Sequence, residues 1–209
     1  MRKNHYHEEM LSVEDARDKI LENFSILPSE EKPILDSLGQ ILSENITAKF
    51  PIPPVNNSAM DGYAVLSVDT VGSTYIQPTK LKVIGSIPAG YVPTKKIESG
   101  QSMRIMTGAP IPDGADAVIP FEETDEKTRD NLDYIACNSE VKKGDNIRLS
   151  GEDVIKGEEI LSSGTLIKDA HVGVIASLGK SKIKVIKKPV ISIISTGDEI
   201  LEPGEKIKP

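Results

Sequence analysis

The chain has 209 residues, with 25 Lys and Arg against 32 Asp and Glu, for a formal net charge of −7. That balance argues against a nucleic-acid binder, whose affinity rests on neutralised phosphates, and the 3 Phe, 5 Tyr and no Trp leave few platforms for stacked bases. The single cysteine, Cys137, can neither close an intramolecular disulfide nor complete a cysteine-rich zinc site, and no run approaches the roughly 18 apolar residues of a membrane span, so the composition points to a cytoplasmic globular protein.

Residues 1–10 are polar and read as a flexible tail, with His5 and His7 as solvated side chains rather than metal ligands. Ser12 followed by Asp15 resembles a capping box, and Val13, Ala16, Ile20 and Phe24 then recur at helical spacing up to Leu27-Pro28. A short helical turn over 34–38 stops at Gly39, a left-handed C-cap, and 40–46 reads as a strand. Pro51, Pro53 and Pro54 then mark a boundary.

Beyond it, short β-rich runs follow over 81–84, 102–106, 117–120 and 132–137, separated by Gly, Pro, Asp and Asn at intervals typical of a sandwich or barrel. Cys137 ends the last of these runs and reads as a buried, inert thiol. The β character continues over 154–161 and 165–167. A helix is predicted over 169–178 and a strand over 182–186. The apolar, β-branched run from Val190 to Ile194 has the pattern of a strand buried on both faces, and reads as the opening strand of an α/β domain whose other strands lie past residue 209.

Four polar clusters are candidates for chemistry. In the stretch from Asn56 to Tyr63, Asp61-Gly62 is either a tight hairpin turn or a carboxylate presented on a loop, able to hold a cation or accept a proton. Thr107-Gly108, after the run over 102–106, is either a plain strand end or a small nest of hydroxyl and free N–H for a phosphate or oxyanion. Arg148, Glu152 and Asp153 surround Gly151 as a surface ion pair or a charged site. Thr196-Gly197-Asp198-Glu199 follows the apolar run, where open α/β sheets bind ligands; its carboxylates are hard oxygen donors that suit magnesium better than zinc. Phosphate-loop and dinucleotide fingerprints are absent, and His171, the one histidine outside the tail, gives no support to a Ser-His-Asp triad.

The blocks at 57–64, 104–110, 114–118, 151–153, 176–179 and 195–199 occur in an order that resembles the MoeA-type molybdopterin molybdenumtransferases, related to the E domain of gephyrin. The resemblance runs from about Ser12 to the end of the chain. It implies a mostly β, β-rich α+β fold of two lobes with coiled or bifurcated sheets and a few helices, followed by the first strand of a truncated α/β domain. The first lobe would comprise 11–50 and 145–188, the inserted β lobe 51–144, and the opening α/β strand 189–209.

The resemblance further implies insertion of molybdate into adenylated molybdopterin with release of AMP, assisted by Mg2+. The family's functional positions fall on Asp61, Thr107, Asp153 and Glu199, with Asp198 as the carboxylate for the adenylate-cleaving step. Ser58 is assigned to substrate binding. Arg148 is added as a cation facing an anionic substrate, and Asp198 and Glu199 are chosen as metal ligands. Implied partners are a second copy through the N-terminal lobes and a molybdopterin adenylyltransferase upstream, with no nucleic acid and no membrane. A non-catalytic, dimerising scaffold of the gephyrin type is the alternative. Two departures reduce charge near the site: Asn56 stands where the family often has an acid, and Leu149-Ser150 replaces a more basic pair.

Overall fold

The computed structural model describes residues 11–128, 131, 133–197 and 199–206. The predicted tail with His5 and His7, the start of the predicted strand at Leu132, and Asp198 lie outside the described residues. The chain divides into two units, one formed by its two ends and one inserted from Thr47 to Ile160. The insertion is therefore longer than the expected 51–144. Residues 146–153 belong to it: Ile147 and Arg148 pair with Ser58 and Asn57, and the Gly151 and Asp153 N–H groups donate to Pro53 O and Ile52 O.

The terminal unit opens with α1 (Val13–Leu21), capped as expected by the Ser12 hydroxyl, which accepts from the Asp15 N–H at 3.0 Å. No residue of α1 is buried, and Val13, Ile20 and the following Phe24 are 81%, 59% and 72% exposed. The chain then forms β1 (Ser29–Pro33) and a 3-10 turn, Ile34–Ser37, that ends at Gly39 with φ +73°. The strand expected over 40–46 is absent. Ile41 bridges Leu166 while Leu42 bridges Val185, so the backbone is shared between two partners and forms no ladder with either. Only β2 (Ile46–Thr47) is a strand there.

Within the insertion the strands are β3 (Asn57–Ser58), β4 (Gly62–Val65), β5 (Thr79–Ile87), β6 (Gln101–Ile105), β7 (Ala117–Pro120), β8 (Tyr134–Cys137) and β9 (Ile147–Arg148). Five of them form one sheet in the order β7-β4-β6-β5-β8, antiparallel except for β5 beside β6. Alternate residues face opposite sides of a strand. Tyr63 and Val65 accordingly join Leu81, Ile119, Ile135 and Cys137 in one core, while Ala64 joins Ile87, Met103, Ile105 and Val118 in another. Burial of both faces explains why all four residues of β4 are buried. It also makes Cys137 the inert thiol expected, with desolvation pushing its pKa up to about 12.

The chain returns through β10 (Glu159–Leu161), which pairs with β2, then α2 (Asp169–Ser177) and β11 (Lys182–Ile186). β10 is shorter than the predicted 154–161 because Gly157 takes φ +90°, which no strand residue adopts. β11 runs antiparallel to β1, with Ser29 opposite Ile186 and Pro33 opposite Lys182. Leu42, Ile46, Ile167, Ile175, Ile183 and Val185 form the buried interior of this unit. The buried strand expected at 190–194 is not formed: Val190 and Ile193 are 97% and 90% exposed. A strand covered on both faces needs neighbours on both sides, and none among the described residues pairs with it. No helix of the described residues is long and apolar enough to cross a membrane.

Gly62 is the tightest point of the inserted sheet. A Cβ there would collide with the carbonyl oxygen of Ile119 on β7. Gly62→Ala is expected to destabilise the protein by about 1–3 kcal/mol by forcing β4 and β7 apart; urea unfolding followed by circular dichroism measures it.

Candidate functional site

Three of the four clusters meet in the inserted unit. β3 is the hub. Asn57 and Ser58 pair with Arg148 and Ile147 of β9, the Ser58 N–H donates to Ala109 O at 3.0 Å, and the Gly108 N–H donates to Ser58 O at 2.8 Å. Asn146, in the left-handed region at φ +57°, turns the chain into β9. Its amide donates to Val118 O and its carbonyl accepts from the Ala59 N–H. The loops carrying Asp61, Thr107 and Asp153 are thus tied together by backbone hydrogen bonds, and Ile147 packs against the cluster that holds Ile105 and Ala109.

Asp61 does not form the hairpin turn that Asp-Gly suggests, since Gly62 already belongs to β4. Its Oδ1 accepts from both the N–H and the hydroxyl of Thr107, at 2.7 and 2.8 Å. The N–H bond first, then the hydroxyl bond and, more weakly, the charge of Arg104 hold the Asp61 carboxyl below the usual range. The nest expected at Thr107-Gly108 is closed, because the Thr107 N–H serves Asp61 and the Gly108 N–H serves Ser58. The loop therefore presents a carboxylate, not an anion hole. Thr107 itself is exposed, and Asp61 Oδ2 accepts no bond among the described residues.

Ser58 is 1% exposed, and its hydroxyl bonds within its own loop, donating to Met60 O and accepting from the Met60 N–H. It shapes the loop rather than facing a ligand. Arg148 Nη2 donates to both carboxylate oxygens of Asp153 at 2.7 Å, with Glu152 at 3.7 Å. The Asp153 bonds raise the guanidinium pKa further above its ordinary value. The two side chains are 40% and 50% exposed, so the pair is weak and open to exchange with an incoming anion. The two departures from the family pattern touch: the Ser150 N–H donates to Asn56 Oδ1 at 2.8 Å. Beside them lies a cleft of about 670 Å³, lined by Asn56, Val92, Lys95, Lys96, Pro110 and Ser150 among others.

Glu199 belongs to the terminal unit and is exposed. Its neighbour in the metal assignment, Asp198, is outside the described residues. Among the described residues no group of three or more His, Cys, Asp or Glu side chains is gathered to hold a metal ion. Sequence reasoning passed over Arg104 and the two cleft lysines. Arg104 sits in the same block as Thr107, and its register opposite Tyr63 becomes visible only once β4 and β6 are paired.

A mostly β chain with this loop assembly matches one family. The profile of the MoeA N-terminal region (domain I and II) covers residues 11–179, and the chain belongs to that family. Molybdopterin molybdenumtransferase 2 of Mycobacterium tuberculosis (strain ATCC 25618 / H37Rv) is 36% identical over 200 residues, 96% of this chain and 48% of the relative. Molybdopterin molybdenumtransferase of Staphylococcus epidermidis (strain RP62A) is 36% identical over 199 residues, 95% and 46% respectively. The crystal structure of the molybdopterin biosynthesis moeA protein from Pyrococcus horikoshii OT3 superimposes with a TM-score of 0.81 at 36% identity, over 92% of this chain and 50% of that one. The chain spans about half the length of the curated relatives it matches.

Asp61 is expected to titrate below the ordinary 3.8. Because the folded value is depressed, its contribution to stability is present above the unfolded value and is lost as the pH falls through the folded one. Thr107→Val removes the hydroxyl donor and keeps the stronger N–H donor, so the Asp61 value should rise only part of the way, as followed by carboxyl carbon NMR.

Proposed function

We propose that the chain forms the N-terminal part of a molybdopterin molybdenumtransferase, which inserts molybdate into adenylated molybdopterin and releases AMP during molybdenum cofactor synthesis. The observation that carries this reading is the Asp61 carboxylate, kept charged by Thr107, in a chain of the MoeA N-terminal family.

Both substrates are anionic, so the site has to supply cations and orient donors. Arg148 serves the first need by exchanging Asp153 for a substrate oxyanion, and Lys96 supplies a second positive charge at the cleft. Asp61 serves the second. A carboxyl held below its ordinary pKa is a poor proton acceptor near neutrality but a strong hydrogen-bond acceptor. It therefore fixes a substrate N–H or O–H through Oδ2, and Thr107 keeps it aimed. In the reaction, the two dithiolene sulfurs bind molybdenum as one molybdate oxygen leaves, the two thiol protons depart with that oxygen as one water, and hydrolysis of the phosphoanhydride by a second water frees AMP.

Asp198 and Glu199 complete the proposed set, with Asp198 assigned to phosphoanhydride cleavage. Magnesium, where these carboxylates hold it, supplies charge neutralisation at the phosphates. The described residues assemble no ligand set for it, and no step here runs through the metal. The protein works in the cytoplasm on the product of a molybdopterin adenylyltransferase. It dimerises through the terminal unit, a reading supported by the uncovered apolar side chains of α1.

In the complete protein, Asp61→Ala is expected to lower molybdate-dependent AMP release about 10²-fold through lost positioning, while the protein stays folded. Unchanged release would contradict the assignment and favour a scaffold. The 209-residue chain alone is expected to release no AMP above the uncatalysed rate.

A further inference from the structure

Arg104 extends from β6 directly opposite Tyr63 of β4. Its guanidinium Nη1 donates to two carbonyls, Gly62 O at 3.2 Å and Ile105 O at 3.0 Å. Gly62 follows Asp61 in the chain, and Ile105 lies two residues before Thr107, so one nitrogen fastens the ends of the two strands that carry the pair. The Nε atom meets Glu126 Oε2 at 2.9 Å. The guanidinium carbon stands 5.5 Å from the Tyr63 ring centre and 5.6 Å from that of Phe121. Phe121 is itself tied to the site, because its N–H donates to Asp61 O at 3.1 Å.

The side chains of Arg104 and Glu126 are only 20% and 21% exposed. With Nη1 on two carbonyls, Nε against a carboxylate and two ring centres within 5.6 Å of its carbon, the guanidinium is committed to the protein's own groups. Its planar fork is what allows the several directions at once, which an ammonium group cannot reproduce.

We infer that Arg104 is a positioning residue: it clamps the Gly62 and Ile105 carbonyls and the Phe121–Glu126 segment together, and so holds the Asp61 carboxylate against the Thr107 N–H and hydroxyl. This deepens the reading of Asp61 and Thr107 as the functional pair and rests on it. The clamp is a property of the folded chain, so its test needs no turnover. The charge of Arg104, itself paired with Glu126, also acts on Asp61. Charge and geometry are therefore separable by substitution.

The experiment follows the Thr107 amide by NMR in the 209-residue chain, reading its hydrogen-exchange protection and its shift as Asp61 titrates. Arg104→Met, which keeps the stem, is expected to lower Thr107 protection at least about tenfold and to move the Asp61 midpoint upward. Arg104→Lys keeps the charge but not the two-carbonyl bridge, so it too should lose the protection, and its midpoint should rise nearly as far, because the Thr107 bonds outweigh the Arg104 charge in holding the Asp61 value down. A folded Arg104→Met protein with unchanged protection and midpoint overturns the clamp. Should that variant not fold, Arg104→Lys with wild-type protection overturns it instead. If the clamp behaves as expected while Asp61→Ala leaves the complete protein fully active, the functional reading fails and the clamp stands.

Discussion

The lack of a side chain at Gly62 lets β4 lie against the Ile119 carbonyl of β7, and the direction in which Asp61 leaves the sheet follows from that contact. The Asp61–Thr107 half of the site is built outward from this strand. Its two neighbours are β7, which continues into Phe121, and β6, which continues into Thr107, so the strand carrying the carboxylate is flanked by both chains that secure it. Close packing on both faces leaves the sheet little room to relax, and the loop geometry inherits that rigidity.

The charges around the site are balanced in pairs. Arg104 is turned inward onto Glu126 and the two rings, whereas Arg148 is held at the surface by Asp153. Burial decides their roles. An inward cation with several fixed partners sets geometry, while a half-exposed ion pair can open for an anion at little expense. The closing of the Thr107-Gly108 nest has the same logic, since its N–H groups build the loop and leave the Asp61 carboxylate as the group on display.

Much of this was legible from the chain itself. The cap at Ser12, the left-handed Gly39 and the runs that became β6, β7 and β11 follow from local rules, and the ordered blocks identified the family. What was not legible depended on pairing. The residues over 40–46 satisfy strand propensity, yet their backbone is divided between Leu166 and Val185. Asp61-Gly62 has the composition of a turn, but its glycine answers a steric demand from a strand more than fifty residues away. Val190 to Ile194 has the pattern of an interior strand, and pattern alone supplies no neighbours. Arg104 went unnoticed for the same reason: its partners come from β4 and from the segment after β7.

The central claim is that Asp61 and Thr107 act as one unit. A double-mutant cycle in the complete protein, with Asp61→Asn, Thr107→Val and both together, measures this through molybdate-dependent AMP release. The account predicts that the double variant is no slower than the slower single one. Losses that multiply across the two positions would show that the residues act independently, and would contradict it.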